Sequence, residues 1–328
     1  MRRFFLVFLV LIPFSFAAFA QAKHPFTFED MMKLKRVGEP EISPDGKWVI
    51  FNVVDVDLEA NTKTPHIWIV PAAGGQEREI IADQDSDRPR WAPDGKRFAF
   101  LSTKEGGSQV WIADFDGAAR AVTGTRKLTS IATEAGGELW SPDGKNVLFT
   151  SDVYPECDGS PEGEVCNARM LKRHEESKVK ALVFDRLLYR HWNAYKEGKR
   201  SHILVVDVEL CARTTAGCPA GAARDLTPGD YDAPVFSLGG QDNYAFSPDG
   251  QEICYTSNHD KNEAASTNND LWIVPVSGGP AKNITADNPA SDSTPLYSPD
   301  GRYIAYRAQQ RPGYESDRFR LMLYDRKT

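Results

Sequence analysis

The sequence predicts an all-β chain: a β-propeller of five recognisable four-stranded blades, the last incomplete, with a helical excursion from the third blade. Three observations carry this. One tetrapeptide recurs five times, as Ser43-Pro44-Asp45-Gly46, Ala92-Pro93-Asp94-Gly95, Ser141-Pro142-Asp143-Gly144, Ser247-Pro248-Asp249-Gly250 and Ser298-Pro299-Asp300-Gly301. The steps between its aspartates are 49, 49, 106 and 51 residues, so three agree closely and the long one is about a double step. Each copy is followed by one strand-like run and, in most units, by a second. Self-similarity at a period near 49 marks a repeat architecture, and blades of short antiparallel strands are the repeat that fits it. A β-sandwich would not need the same turn and second strand to recur five times.

At the start, Arg2-Arg3, an apolar run from Phe4 to Phe16 and the small-residue end Ala17-Ala18-Phe19-Ala20 have the layout of a cleavable secretory signal over residues 1–20. Ala18-x-Ala20 is the expected cleavage site, with a second register at Ala20-x-Ala22. The alternative, a membrane anchor, needs about twenty apolar residues. No later stretch is long enough to span a bilayer, so the expected location is the periplasm or the medium, with no membrane span after cleavage. The net charge of −7 becomes more negative when Arg2 and Arg3 leave, which argues against a nucleic-acid partner. With 41% hydrophobic and 26% charged residues, the remaining 21–328 can bury a large core.

Within each unit the tetrapeptide has a mechanical role. Proline presets φ for the first corner of a type I turn, aspartate caps the turn, and glycine takes a left-handed position. The residue before proline is held extended, which suits a strand end. The five aspartates are therefore turn residues rather than an acidic cluster. The first strands are Trp48-Val49-Ile50-Phe51, Arg97-Phe98-Ala99-Phe100-Leu101, Val147-Leu148-Phe149-Thr150, Ile253-Cys254-Tyr255-Thr256 and Tyr303-Ile304-Ala305-Tyr306. Second strands are His66-Ile67-Trp68-Ile69-Val70, Gln109-Val110-Trp111-Ile112, His202-Ile203-Leu204-Val205-Val206, Asp270-Leu271-Trp272-Ile273-Val274 and Arg320-Leu321-Met322-Leu323-Tyr324, and units close on Leu128-Thr129, Leu226-Thr227 or Ile284-Thr285.

The double step holds an excursion over about residues 152–200. Asp152 to Cys166 reads as loop, with Pro155, Gly159, Pro161 and Gly163. From Ala168 to Tyr195, Leu171, Val179, Leu182, Val183, Leu187 and Leu188 recur at helical spacing without Pro or Gly, which predicts helix. The oxidising compartment predicts two local loop disulfides, Cys157 with Cys166 and Cys211 with Cys218, and a buried Cys254. Neither pair has the spacing of a structural zinc site, and no two histidines are spaced for a metal or a triad, so no metal or other cofactor is expected.

The stretch Tyr189-Arg190-His191-Trp192, followed by Gly198-Lys199-Arg200-Ser201-His202, resembles the propeller domain of prolyl oligopeptidase-type serine peptidases, in the dipeptidyl-peptidase and acylaminoacyl-peptidase branch. The opening Phe26-Thr27-Phe28-Glu29-Asp30-Met31 and Leu34-Lys35-Arg36-Val37-Gly38 fits the same branch, and the Ser-Pro-Asp-Gly units also resemble the propeller of the periplasmic protein TolB. The resemblance covers roughly residues 24–328. It implies a peptide substrate and an α/β-hydrolase domain in cis, carrying a Ser-Asp-His triad. No Gly-x-Ser-x-Gly elbow occurs in this sequence, so it reads as the front part of a longer enzyme and holds no catalytic residue of its own.

The resemblance further implies glutamates on a propeller excursion that hold the substrate's free amino terminus, and Glu175 and Glu176 are the nearest candidates. An ammonium withdrawn from water needs such a carboxylate. A solvated helix face explains the same pair. Arg190 offers a planar fork for a substrate carbonyl or carboxylate and Trp192 a pocket wall, unless Arg-His-Trp instead locks the excursion onto its blade. Asn193 stands where the family has Asp, which removes a charge pair there. The rival reading is a non-catalytic TolB-like binding scaffold. A propeller glycosidase would want paired carboxylates on strands facing the axis.

Overall fold

The computed structural model describes residues 24–81, 85–159, 163–212, 218–219, 221–236 and 243–328. The expected export segment lies outside them. After a short helix, α1 (Phe28–Lys33), capped by Thr27 and Asp30, the chain forms five antiparallel sheets in sequence order. The first contains β1 (Arg36–Ile42), β2 (Trp48–Asp57), β3 (Thr62–Pro71) and β4 (Arg78–Ile81). The second contains β5 (Ser86–Trp91), β6 (Arg97–Ser102), β7 (Gln109–Asp116) and β8 (Ala121–Lys127).

The third begins with β9 (Gly136–Trp140) and β10 (Asn146–Val153). The excursion then supplies α2 (Gly163–Glu175) and a small hairpin of β11 (Arg190–His191) and β12 (Ala194–Tyr195). The sheet resumes with β13 (Arg200–Asp207), passes through α3 (Val208–Ala212) and ends on β14 (Arg224–Asp225). Because β10 pairs directly with β13, from Asn146↔Asp207 to Val153↔Arg200, the excursion leaves and rejoins one sheet at one end. The fourth sheet is β15 (Tyr244–Phe246), β16 (Glu252–Ser257), β17 (Asp270–Pro275) and β18 (Lys282–Asn283). The fifth is three-stranded: β19 (Asp292–Tyr297), β20 (Tyr303–Ala308) and β21 (Arg320–Asp325).

Each tetrapeptide is the turn from a blade's first strand to its second, so the runs read in the sequence as first and second strands are the second and third of each blade. Gly46, Gly95, Gly144, Gly250 and Gly301 lie at φ of 64–71°, and each donates its N–H to the carbonyl three residues back at 2.8–2.9 Å. The serine hydroxyl donates to the aspartate at 2.6–2.7 Å in four copies. Copies also touch one another. A Cβ placed on Gly95, Gly144, Gly250 or Gly301 would lie 3.6–3.7 Å from the proline Cδ of the preceding copy, Pro44, Pro93, Pro142 and Pro248 respectively. Gly250 meets Pro142, so the 106-residue step is one blade step in space.

Apolar cores lie between successive sheets. Ile50, Ile67 and Ile69 of the first meet Phe98, Phe100 and Trp111 of the second. Ala99 and Ile112 meet Val147 and Phe149. Leu148 and Ile203 meet Ile253 and Tyr255, and Cys254 and Leu271 meet Ile304. Fully burying a side chain of this size contributes about 1.5–3 kcal/mol. The first strands meet in succession, β1 with β5, β5 with β9 and β15 with β19, and the Tyr244 hydroxyl of β15 donates to the Gly137 carbonyl of β9, so the sheets converge on that side as blades of a β-propeller. Where they converge, the residue six before the turn aspartate has a positive φ: Glu39 (52°), Arg88 (52°), Gly137 (68°) and Thr294 (55°). The ladder register shifts at each of these points, a bulge repeated blade by blade.

The expected helix over 168–195 is corrected. Helix α2 spans Gly163–Glu175, and Val179, Leu182, Val183 and Leu187 lie beyond it, exposed. Helical spacing stabilises a helix only where a partner covers the apolar face, and two β-branched valines weaken it further. The start of α2 is held instead. Cys166 bridges to Cys157, and buried Asn167 accepts from the Tyr154 N–H at 2.8 Å and donates to the Gly163 carbonyl at 3.0 Å. The second disulfide joins Cys211 to Cys218, and Cys254 is a buried free thiol. Cys166 and Cys211 stand on helices rather than in loops.

Candidate functional site: a trench under the excursion

The excursion hairpin hangs over the third and fourth blades and leaves a trench of three adjoining depressions. The middle one, about 430 Å³, lies between Tyr195 and Lys196 of the excursion, Gly137 and Tyr244 of two converging strands, and Pro234–Phe236 of the connection between blades. It shares Thr150, Asp152 and Lys199 with a second depression of about 480 Å³, which Glu175 lines. On the other side it shares His191, Asp232 and Phe236 with a third of about 350 Å³, reaching Glu263, Gln309 and Glu315.

An ion network with a buried centre at Arg200 and Asp232 fixes the roof. Arg200, at the start of β13, donates to Asp230 at 2.9 Å and pairs with Glu263 at 2.7 Å and Asp232 at 3.5 Å. Asp232 also accepts from the Ser201 N–H at 3.0 Å and from the Lys196 ammonium, and Asp230 accepts from Arg186. Arg186 and Lys196 are excursion residues, so these pairs clamp it to its blade. Burial and the Arg200 charge draw the Lys196 ammonium down to about 8, against the pull of Glu263, Asp152 and Asp230. Aromatic faces do the rest. His191 stacks on Phe236 at 4.4 Å, and Phe184 stacks on Tyr189 at 4.1 Å. Burial, with the Lys196 charge second, lowers the His191 pKa, so the ring is neutral near pH 7.

The residues singled out in sequence are divided by this geometry. Glu175 is exposed and lines one end of the trench. Glu176 does not line it and faces Lys172 at 3.8 Å. The Arg190 guanidinium donates to the Trp192 carbonyl and lies 6.0 Å from the Tyr189 ring, a local hairpin role. Trp192 sits in the hairpin turn at φ 46°, exposed, with its ring perpendicular to that of Phe236 and the centroids 5.5 Å apart.

A second polar set escapes sequence reasoning. Among the converging strands, Glu39 of blade 1 pairs with Arg88 at 3.2 Å and with Arg90, both of blade 2. Glu41 accepts from the Trp91 N–H at 2.7 Å, and Arg88 faces Glu138 of blade 3 at 3.7 Å. The carboxylates that a glycosidase would want on axis-facing strands are thus present, but beside arginines. Glu138 is fully buried, and burial outweighs the arginines, pushing its carboxyl up to about 8. The signal was there as Glu39-Pro40-Glu41 and Arg88-Pro89-Arg90, at the same distance before successive turns.

No family model matches the chain. It is 32% identical over 312 residues to dipeptidyl-peptidase 5 of Porphyromonas gingivalis, covering 91% of this chain and 41% of that protein. It is 28% identical over 257 residues to an uncharacterized peptidase of Bacillus subtilis, covering 77% of this chain and 34% of that protein. Among solved structures, Pyrococcus horikoshii acylaminoacyl peptidase superposes with a TM-score of 0.61 at 17% identity, over 90% of this chain and 39% of that one. The β-propeller domain of the trilobed protease from Pyrococcus furiosus superposes with a TM-score of 0.54 at 16% identity, over 90% and 71%. These superpositions establish the propeller fold. The chain spans well under half the length of the curated relatives it matches, 41% and 34%. It resembles the N-terminal propeller part of dipeptidyl- and acylaminoacyl-peptidases.

Proposed function

On the footing of that resemblance, we propose that the chain is the gating and substrate-anchoring part of an exported serine peptidase that hydrolyses peptide bonds near substrate N-termini. The nucleophile, acid and base belong to an α/β-hydrolase domain in cis, because no nucleophile elbow occurs in these 328 residues. The signal-like residues 1–20 support export, and the two disulfides fit an oxidising compartment.

The observation that carries the anchoring role is the trench. It has aromatic walls in Tyr195 and Phe236 and ends on an exposed carboxylate, Glu175. An extended peptide can lie along it with its ammonium at Glu175 and its side chains against the aromatic walls. Arg190 and Trp192 act at the rim, holding the hairpin, and Glu176 adds negative potential beside Glu175. Aromatic walls with a few placed polar groups are the usual make-up of such a site.

The test is equilibrium binding of fluorescent pentapeptides to the chain, with a serine-hydrolase probe as control. The chain should show no probe labelling and no peptide turnover, and should prefer a free N-terminus over an acetylated one about tenfold. Glu175→Gln should remove that preference. Serine-dependent turnover would overturn the assignment of chemistry, and equal binding of free and acetylated peptides would overturn the anchoring role.

A further inference from the structure

On the outer side of the third blade, the excursion and the last strand bring two carboxylates to one histidine. His202 on β13 is fully buried. Its Nδ1 lies 2.6 Å from Asp225 Oδ2 and 3.9 Å from Asp158 Oδ1. One ligating atom from each of the three residues lies within 4.8 Å of the other two.

The remaining polar atom of each residue is held by backbone from a single loop. His202 Nε2 donates to the Gly229 carbonyl at 2.9 Å. The Gly229 N–H donates to Asp158 Oδ2 at 2.7 Å, and the Thr227 N–H donates to Asp225 Oδ1 at 2.9 Å. A carbonyl only accepts, so Nε2 carries a hydrogen and Nδ1 is the atom turned to the carboxylates. Outer hydrogen bonds that fix the tautomer and orient the oxygens are what metal-binding histidines and carboxylates require.

The other blades show what structure alone needs at this place. There a residue of the third strand meets polar partners that all come from its own blade: His66 with Glu79 at 3.2 Å and Asp55 at 3.9 Å, Gln109 with Thr129 at 2.7 Å, Asp270 with Asn283 at 2.9 Å. Blade 3 has its pair, His202 and Asp225, and adds a second carboxylate from outside the sheet. Asp158 is next to the Cys157–Cys166 disulfide, which pins its backbone. Without an ion the two carboxylates face a single positive charge, that of a doubly protonated His202, and a divalent ion would balance both. A depression of about 330 Å³, lined by Asp158, Asp225 and Asn167, opens beside the set and has room for water ligands.

We propose that Asp158, His202 and Asp225 bind one divalent ion of the zinc class, with His202 Nδ1, one oxygen of each carboxylate and water from the depression as ligands. Bonds of about 2.0–2.2 Å to nitrogen and oxygen fit a set this close after small rotations of the carboxylates. The mixed imidazole and carboxylate donors favour zinc over calcium or magnesium. Binding replaces the hydrogen that Nδ1 must otherwise carry toward Asp225, so one proton leaves per ion. The ion fastens the root of the excursion to β13 and β14.

The test uses the untagged full chain, stripped with chelator and titrated with zinc chloride by calorimetry in buffers of different ionisation enthalpy. The expected result is one ion per chain, release of about one proton, and a rise in the melting temperature that chelator reverses. Asp158→Asn keeps the His202–Asp225 pair that resembles those of the other blades, so it should fold. It should bind zinc at least tenfold more weakly. No zinc uptake by the wild-type chain, calcium uptake in preference to zinc, or unchanged zinc affinity in Asp158→Asn would each overturn the site.

Discussion

The repeated blades and the excursion of the third blade are made of the same residues under different rules. In a blade, a turn of four residues sets the chain direction, a proline and a glycine set contact with the next copy, and cores fill the space between sheets. In the excursion, order comes from one disulfide, a buried asparagine and a handful of ion pairs. Large apolar side chains there, Val183 and Leu187 among them, remain exposed. Blades are over-determined by local and long-range terms together. The excursion is tied at a few points, and such points are where a surface can be shaped for a ligand.

That contrast can be broken experimentally, and the largest lever is the core between blades. Phe98 is fully buried against Trp91, and Phe98→Ala should cost about 3–5 kcal/mol in a urea melt. A loss below 1 kcal/mol would mean the cores do not bind the blades as a unit.

Next is the buried Glu138. Its carboxyl sits at about 8, above its ordinary value of 4.5, so the folded chain holds a proton that the unfolded chain releases. Stability from this group is therefore full below about pH 4.5 and is lost as pH rises through 8, by at most about 1.4 kcal/mol per pH unit. Glu138→Gln should flatten the stability profile between those limits. An unchanged slope would show that Arg88 keeps the carboxylate ionised.

Smaller still is a matched pair of glycines. Gly250 at φ 69° and Gly198 at φ 82° both lie in the left-handed region, where a Cβ costs roughly 1–2 kcal/mol. Gly250→Ala, in a blade turn packed on Pro142, should lower the global melting temperature. Gly198→Ala, in the excursion with open space around it, should speed local amide exchange and leave the melt almost unchanged. Equal effects on the melt would erase the distinction between the regions.

The least effect is expected from Ser247→Ala, which removes the hydroxyl bonded to Asp249 at 2.6 Å. Its expected cost is about 0.5–1.5 kcal/mol in thermal denaturation. Ala92 already occupies the same place in the second blade, where Asp94 pairs with Arg97 at 2.8 Å. A loss above 2 kcal/mol would show that the serine does more than cap the turn.

How much was legible in the sequence follows the same division. The turns, their spacing and the strands after them were readable because each turn is encoded in four consecutive residues. The helix over 168–195 was misread because periodicity shows which face would be buried, not whether anything covers it. The trench was invisible because Lys196, the Asp232–Phe236 connection and Tyr244 are separate segments and only the blade geometry joins them. His202 looked like one histidine among six, since its partners Asp158 and Asp225 are 44 and 23 residues away. Among the described residues no helix is long and apolar enough to cross a membrane.

The nesting of Gly95 on Pro44, Gly144 on Pro93, Gly250 on Pro142 and Gly301 on Pro248 has a genealogical consequence. A stretch that carries a proline for the neighbour ahead and a glycine for the neighbour behind is a complete unit of inheritance. Copied in tandem, it arrives with both of its turn contacts already fitted, and only the apolar faces between sheets have to be matched. The 106-residue step makes the complementary point. Because the insertion enters at the Val153 and Arg200 end of a strand pair and leaves both turn contacts untouched, the turns never record that it happened.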